Sequence, residues 1–236
     1  MYPHQPAQSR RTQYPELGEE DALRLIFVGG DFFRKGGEAI LRAVEALGDE
    51  LNLQLTVISK VEGNDYTGTP PPEVDVASIR RRLEGNPRID WRRSVSHDEV
   101  MSAIEMHHVG LLPTFSDTFG YSVLEFMSLG VPAIVSDLQA LPEFADSVTG
   151  WQVHVEKDDH GEWVGRHPNM DRRSHHYFES VADTTSQIEG ILSEIRTNPA
   201  LLSIKAASTH DRIAQQFDPS TRAATVRSIY EQALTS

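Results

Sequence analysis

The sequence predicts an α/β fold: a doubly wound, Rossmann-like parallel sheet of about six strands with helices on both faces. Short apolar runs suited to strands alternate along the chain with segments whose apolar residues recur at helical spacing. The length of 236 residues and the hydrophobic content of 39% allow one large domain or two small ones with a real core. Right-handed crossovers between such strands favour the doubly wound arrangement.

The predicted strands are short apolar runs that end at glycine, proline or polar residues. They cover residues 23–28, 53–58, the surroundings of 89, 109–112, 133–135 and 151–155. Helical spacing and capping residues predict helices over 38–47, 76–83, 96–107 and 120–129. The third of these helices opens with a sequence of capping-box form, Ser96 to Glu99. Residues 64–72, rich in Gly and Pro, are predicted to form a loop.

The C-terminal part combines a polar segment with three helices. Residues 156–176 are polar and rich in histidine, and helices are predicted over 184–196, 200–216 and 220–234. Asp218 is expected to cap the last helix, with Pro219 in its first turn. A loop of this length does not promise the convergent geometry of a metal site, so no metal is predicted. The histidines concerned are His154, His160, His167, His175 and His176.

The composition argues against several classes of protein. Asp and Glu outnumber Lys and Arg by 35 to 22, which gives a net charge of −13, whereas a general nucleic-acid groove needs a basic face. The chain has no cysteine, so it has neither a disulfide framework nor thiolate chemistry. No apolar run approaches membrane-spanning length, and residues 1–20 lack the apolar core of a signal peptide. We therefore expect a cytoplasmic protein without a transmembrane segment.

Two loops follow the first and fourth predicted strands, which lie side by side at the switch point where this fold binds ligands. The first loop, 29–37, begins with Gly29 and Gly30 and carries Arg34 and Lys35 near the start of a helix. Glycines let a ligand approach the backbone, and a helix N-terminus with basic side chains favours an anion such as a diphosphate. Alternatively, the glycines only make a tight turn and the basic residues are solvated. The loop matches neither a Walker loop nor GxGxxG.

The second loop and the helix after it carry two carboxylates. Glu125 lies in an otherwise apolar helix, where an unpaired carboxylate is costly and needs donors. Two adjacent ribose hydroxyls are suitable donors, although Glu125 could instead favour the helix dipole or pair with an Arg. Asp117 either faces a ligand or caps the turn that follows it. The backbone N–H groups of Phe119, Gly120 and Tyr121 are candidate phosphate donors.

These residues and their neighbours resemble the C-terminal, donor-binding half of the GT-B glycosyltransferases of the large "group 1" family (family four). That family has two Glu residues separated by seven others, with Phe-Gly after the first and "EAMA.G.PV" from the second. Here Asp117, "TFGYSVL" and "EFMSLGVPAIVSD" stand in their place. The motifs "LRLIFVGGDFFRKGG", "ALPEF", "TGWQV" and "FDPSTRAATVRSIYEQAL" extend the resemblance over roughly residues 23–234.

The resemblance implies a nucleotide-activated sugar as donor and usually retention at the anomeric carbon. We expect the nucleotide sugar as substrate and no cofactor or metal. Lys35 would bind the diphosphate, Glu125 the ribose, and Asp117 with the following backbone would face the donor sugar and phosphates. Asp117 is one methylene shorter than the usual Glu. Gly30 stands where the family's phosphate-binding Arg is expected, so Arg34 is a candidate substitute.

Position in the fold suggests two further contacts. Selectivity for the base and the sugar is expected in the loops after the second and third strands, around Ser59 and Ile89. These two residues complete the predicted set of substrate-binding positions.

The resemblance also divides the chain. Residues 1–20 are predicted to be a linker or tail, 21–216 the nucleotide-sugar donor-binding domain, and 217–236 a helix that in the family crosses to an N-terminal acceptor domain. That acceptor domain is expected as a partner, within a longer parent or as a separate chain. We predict the donor half of a glycosyltransferase, incomplete by itself. The alternatives are a non-catalytic nucleotide-sugar-binding module or scaffold subunit, and an enzyme of another class on this fold, such as a nucleotide-sugar epimerase.

Overall fold

The computed structural model of the protein describes residue 14 and residues 17–63, 69–216 and 219–235. The strands are β1 (Leu23–Val28), β2 (Leu53–Ile58), β3 (Ile89–Arg92), β4 (Val109–Leu112), β5 (Ala133–Ser136) and β6 (Gly150–Val153). The helices are α1 (Gly37–Leu47), α2 (Val76–Gly85), α3 (His97–Glu105), α4 (Tyr121–Ser128), α5 (Leu141–Phe144), α6 (Met170–Thr197), α7 (Ala200–Gln216) and α8 (Pro219–Thr235).

The six strands form one parallel sheet in the order β3-β2-β1-β4-β5-β6. The predicted fold class is therefore confirmed. The order reverses direction between β1 and β4, which pair directly, with Leu25 opposite Val109 and Phe27 opposite Leu111. This places the loops after β1 and β4 next to each other at the carboxyl edge of the sheet, where doubly wound folds bind ligands.

Each face of the sheet buries its own core, because neighbouring side chains along a strand point to opposite faces. In β1, Leu25 and Phe27 lie in a core shared with α1, α2 and α6, whereas Ile26 lies in a core shared with α3, α4 and α5. Helix α7 packs Leu202 against the first core and Ile213 against the second, so it runs from one face to the other. Helices thus cover both faces, as predicted.

The helix boundaries show where the sequence pattern was insufficient. Helix α6 begins at Met170, not at residue 184, because the side chain of Asn169 accepts the Arg172 N–H at 3.0 Å and caps the helix. The first turns of α6 carry few apolar residues, so the sequence pattern did not distinguish them from the preceding polar segment. The short helix α5 was not predicted. Gly120 is the N-cap of α4, with φ 77°, and does not itself belong to the helix.

Some predictions concern residues that the structure does not describe. Asp218, most of the predicted tail 1–20 and residues 64–68 of the predicted 64–72 loop lie outside the described residues. The capping role of Asp218 therefore stays a prediction. The domain boundaries at residues 21 and 217 likewise stay predictions. Among the described residues, no helix combines the length and apolarity needed to cross a membrane.

Candidate functional site

The loop after β1 places its two leading glycines differently. The N–H of Gly29 donates to the carbonyl of Ile58 at 3.0 Å, so it continues the sheet rather than facing a ligand. The stem of Lys35 crosses directly over Gly29: a Cβ at this position would lie 2.5 Å from Lys35 Cδ. Gly30, in contrast, has open space where its Cβ would stand. The loop therefore leaves room for a ligand beside Gly30 and directs Lys35 across the end of β1.

The second glycine pair in this loop lets the two loops approach closely. Gly36 adopts φ 79°, a left-handed conformation that favours glycine, and a Cβ there would lie 2.1 Å from the carbonyl oxygen of Pro113. A Cβ on Gly37 would lie 2.4 Å from the ring of Phe32. The backbone of the loop after β1 thus packs against the segment that leaves β4, and any side chain at Gly36 would push the two apart.

Arg34 connects the two loops from inside the protein. It is 6% exposed, and its guanidinium donates to the Ser116 carbonyl and pairs with Asp31. Its own carbonyl accepts the Phe115 N–H at 2.8 Å and the Thr114 hydroxyl at 3.1 Å. This geometry favours a structural role for Arg34, and a phosphate contact from it stays a prediction.

Lys35 and Asp117 bring the two loops together at the switch point. Lys35 Nζ lies 3.3 Å from Asp117 Oδ2, and the two side chains are 19% and 13% exposed. A pair at this depth is less screened by solvent than a surface pair. The sequence-based expectation that these loops meet is confirmed, whereas their contacts with a substrate remain predictions.

One oxygen of Asp117 is supplied with donors by its own chain, whereas Oδ2 is buried and accepts no hydrogen bond among the described residues. Oδ1 accepts the N–H of Gly120 at 3.0 Å and that of Phe119 at 3.2 Å. Burial acts to raise the pKa of Asp117, but Lys35 and these two N–H groups outweigh it, so the pKa is lowered from its ordinary value. Oδ1 therefore caps the turn before α4 while Oδ2 faces Lys35, and a contact of Asp117 with a ligand stays a prediction.

Glu125 has a different environment eight residues further on. Its side chain is 28% exposed, and Oε1 lies 3.7 Å from His97 Nδ1. Among the residues that the structure describes, its carboxylate accepts no hydrogen bond. Burial raises the pKa of Glu125 above its ordinary value, and the opposing effects of His97 and then Lys35 do not compensate. Glu125 is a half-buried carboxylate with too few donors.

The segment between the two acids has fewer open amides than predicted, because Phe119 and Gly120 direct their N–H groups to Asp117. The ring of Phe119 contacts that of Phe144, with centroids 5.1 Å apart, and that of Tyr121 at 5.2 Å. Tyr121 is 59% exposed, so its ring offers an aromatic surface beside the start of α4.

Two serine hydroxyls at the same edge of the sheet are buried without a hydrogen-bond partner among the described residues. Ser59 follows β2 and is 3% exposed; Ser122 lies in the first turn of α4 and is 6% exposed. A buried hydroxyl that makes no hydrogen bond calls for an explanation. Ser59 was expected to contact substrate, whereas Ser122 was not singled out by its sequence context.

Ile89 requires a correction. It is the first residue of β3 and pairs with Leu55, three residues before the end of β2 at Ile58. It therefore lies towards the amino edge of the parallel sheet, away from the two loops. The prediction placed the loop at the wrong end of a weakly marked strand; residues 93–95 follow β3 at the carboxyl edge.

Two residues at the site were missed. His97, the first residue of α3, contacts Glu125 in α4. The capping box predicted the start of α3 but gave no sign of this contact. Gln139, with φ 50°, accepts the Asp117 N–H at 2.7 Å and donates to the Glu162 carboxylate at 3.3 Å. Nothing in the sequence around Gln139 signals this conformation, which is uncommon for residues other than glycine.

A separate cleft of about 470 Å³ lies between the segment after β6 and α6. Its lining includes the carboxylates of Glu156, Glu179 and Asp183, which repel an anionic ligand. Within the described ranges, no three or more His, Asp or Glu side chains are grouped to hold a metal ion. The crevice between the loops after β1 and β4 is therefore the better candidate for an anionic ligand.

A sequence profile of the family described as "Glycosyl transferases group 1" matches residues 22–166, more than half of the chain. The chain belongs to the group 1 glycosyltransferases. The match covers the sheet, both loops and all three of Lys35, Asp117 and Glu125.

Individual relatives agree with this group 1 assignment. The D-inositol 3-phosphate glycosyltransferase of Streptomyces avermitilis is 29% identical over 153 residues, which cover 63% of this chain and 32% of that protein. The chain spans about a third of the length of the curated relatives it matches.

Solved structures support the fold. The Anabaena protein Alr3699/HepE in complex with UDP-glucose matches with a TM-score of 0.63 at 10% identity, over 91% of this chain and 50% of that one. The C-terminal domain of the group 1 protein LpcC from Francisella tularensis matches with a TM-score of 0.59 at 16% identity, over 83% and 86%. This group 1 glycosyltransferase chain thus has the fold of one half of a GT-B architecture.

Proposed function

We propose that the protein is the donor-substrate half of a glycosyltransferase, which binds a nucleotide-diphosphate sugar for transfer of the sugar to an acceptor. One observation carries the proposal: the half-buried, donor-poor carboxylate of Glu125 stands near Lys35 at the switch point of the sheet. A ribose with two adjacent hydroxyls supplies the donors that Glu125 lacks, and a diphosphate supplies anionic oxygens for Lys35. A nucleoside diphosphate carries both groups in one molecule.

With the ribose at Glu125 and the diphosphate at Lys35, the neighbouring residues also receive roles. The diphosphate lies beside Gly30, where open space admits it, with Lys35 opposing its charge. Asp117, oriented by Lys35 and the Phe119 and Gly120 amides, faces the donor sugar. Transfer with retention is part of the proposal, as in most of the resembling family. The HepE complex contains UDP-glucose, which supports a nucleotide sugar as the class of donor.

Lys35 also bears on the need for a metal. We propose that no metal cofactor takes part, because a lysine at the diphosphate can stabilise the departing charge. Binding of the diphosphate should then be unaffected by a chelator, and a loss of affinity in EDTA would contradict this point.

Helix α8 supports an acceptor-binding partner. Val226, Ile229, Tyr230 and Leu234 fall on one helical face and are 51%, 60%, 68% and 86% exposed. Clustered exposed apolar side chains mark interaction surfaces. Because the chain covers only half of the HepE structure, we propose that this face packs against an acceptor-binding domain, in the same or another chain.

Titration calorimetry with UDP, GDP and ADP tests the donor site. We expect at least one to bind, and a ligand at about 100 times its Kd should add roughly 2.7 kcal/mol to the stability of the domain. Absence of binding by all three at millimolar concentration would refute the proposal.

An assay of sugar transfer tests whether this chain supplies only the donor side of the reaction. Positioning of donor against acceptor can supply some 7–11 kcal/mol of a barrier, and the described residues offer the donor side alone. Incubated with its best-binding nucleotide sugar and a panel of glycan, lipid and small-molecule acceptors, this chain should show slow hydrolysis at most. Multiple turnovers by this chain alone would contradict the half-site proposal; tight binding without turnover beside any acceptor domain would favour a non-catalytic module.

A further inference from the structure

His97 occupies a position that the stability of its own helix does not explain. It is the first residue of α3, whose first turn also carries Asp98 and Glu99. Acidic residues are favoured at a helix N-terminus and basic ones are disfavoured there, because the N-terminal end carries partial positive charge. A histidine at this position does not stabilise α3, so its contact with α4 calls for another explanation.

The backbone at His97 is held firmly. Ser96 caps α3 through a capping box in which the Glu99 N–H reaches Ser96 Oγ at 3.3 Å and the Glu99 carboxylate accepts the Ser96 N–H at 2.8 Å. Helices α3 and α4 share one core, through Val100 and Ile104 on one side and Phe126 on the other. The two helices therefore hold His97 and Glu125 close enough for Nδ1 to lie 3.7 Å from Oε1.

We propose that His97 is a positioning residue, which holds Oε1 of Glu125 so that the other carboxylate oxygen meets the ribose hydroxyls of the bound nucleotide. The inference rests on the proposed nucleotide-sugar site and adds a residue to it. His97 is 49% exposed and Glu125 28% exposed, so both side chains are accessible from solvent. Without His97, the Glu125 side chain samples more rotamers. Ribose binding must then order this side chain, and the lost conformational entropy weakens binding.

The raised pKa of Glu125 supports this role, because among the charges that oppose the effect of burial His97 comes first and Lys35 second. Lys35 also contacts Asp117, whereas His97 contacts Glu125. His97 can therefore act on the ribose end of the site without disturbing the diphosphate end.

The test measures ribose selectivity rather than affinity alone. UDP, GDP or ADP, whichever the wild-type protein binds best, is titrated together with its 2′,3′-dideoxy form into wild type and His97→Ala. We expect the preference for the ribose form to shrink about two- to fivefold in the variant, the range of one weak, partly exposed polar contact. Affinity for the dideoxy form should stay unchanged.

Two further variants separate positioning from a general effect. His97→Asn keeps an N–H donor close to the place of Nδ1 and should restore most of the preference. Asp98→Ala alters the same exposed helical turn without touching Glu125 and should leave it intact. If His97→Ala retains the wild-type preference, or lowers affinity for both ligands equally, His97 does not position the ribose ligand. If wild type binds none of the three nucleotides, the proposed function fails first and the inference with it.

Discussion

Asp117 and Glu125 lie eight residues apart in one loop and helix, yet their surroundings act on them in opposite directions. Asp117 accepts two backbone N–H groups and pairs with Lys35, and its pKa is lowered. The carboxylate of Glu125 accepts no hydrogen bond among the described residues, His97 Nδ1 lies 3.7 Å from its Oε1, and its pKa is raised.

The difference lies in the source of the donors: Oδ1 of Asp117 is satisfied by its own loop and Oδ2 faces Lys35, whereas we propose that the donors for Glu125 come from a ligand. A buried carboxylate whose partners come from its own chain stabilises the fold. One that is desolvated without donors costs free energy in the empty protein, and pairs of acids with divergent pKa values mark functional sites. We therefore propose separate tasks for the two acids: Asp117 orders the loop beside Lys35, and Glu125 accepts hydrogen bonds from ribose hydroxyls.

The largest effect is expected from Lys35, the cation near both acids. Lys35→Met should weaken binding of the best nucleoside diphosphate about ten- to a hundredfold, the value of one or two charge-assisted hydrogen bonds. Carboxyl NMR should show both acids titrating at higher pH, with the larger change at Asp117, which Lys35 contacts directly. Lys60→Met, an exposed lysine after β2, removes the same charge and serves as the control; equal losses in both variants would mean that only net charge matters.

The second effect concerns stability. Asp117→Ala removes a cap and an ion pair, so we expect it to lower the free energy of unfolding by about 1–2 kcal/mol. Glu125→Ala relieves a desolvated carboxylate and should change it by less than about 0.5 kcal/mol. Urea denaturation of both variants without ligand checks this contrast. A cost at Glu125 equal to or above that at Asp117 would mean that Glu125 has a structural partner in solution.

The smallest effect is a difference in pH dependence. Because the folded pKa of Asp117 is lowered, its stabilisation is present above its ordinary pKa, near pH 4, and is lost as pH falls through the folded value. Because the pKa of Glu125 is raised in the folded protein, its contribution to folding stability is present below its ordinary pKa. This contribution is lost as pH rises through the raised pKa.

Unfolding free energies of wild type, Asp117→Asn and Glu125→Gln between pH 3 and 7 should therefore diverge in opposite directions. The advantage of wild type over Asp117→Asn should grow with pH, and its advantage over Glu125→Gln should shrink. Parallel changes in both comparisons would show that the two acids have similar surroundings.

Much of this arrangement was predictable because it depends on local patterns. Alternating apolar runs predicted the strands, and the switch point followed from their order, so Lys35 and Asp117 were placed together before any coordinates. The boundaries that failed were those with weak local signals: Ile89 begins a four-residue strand, and Met170 begins a helix with a polar first half.

The contacts that decide the role of each acid were not predictable. The contact between His97 and Glu125 joins two helices whose separation depends on core packing. The inward turn of Arg34 depends on the carbonyl of Ser116, which only the folded loop presents. Helical spacing cannot distinguish a carboxylate supplied with donors from one without them, because those donors come from elsewhere in the chain.

One set of titrations tests most directly the claim that Glu125, and not Asp117, awaits the ribose. The best-binding nucleoside diphosphate and its 2′,3′-dideoxy form are titrated by calorimetry into wild type, Glu125→Gln and Asp117→Asn. In Glu125→Gln, affinity for the ribose form should fall about five- to tenfold, since charge-assisted bonds are roughly twice as strong as neutral ones, while affinity for the dideoxy form stays constant. Asp117→Asn should affect both forms alike. An equal loss of both forms in Glu125→Gln would contradict the account and make Glu125 a structural residue.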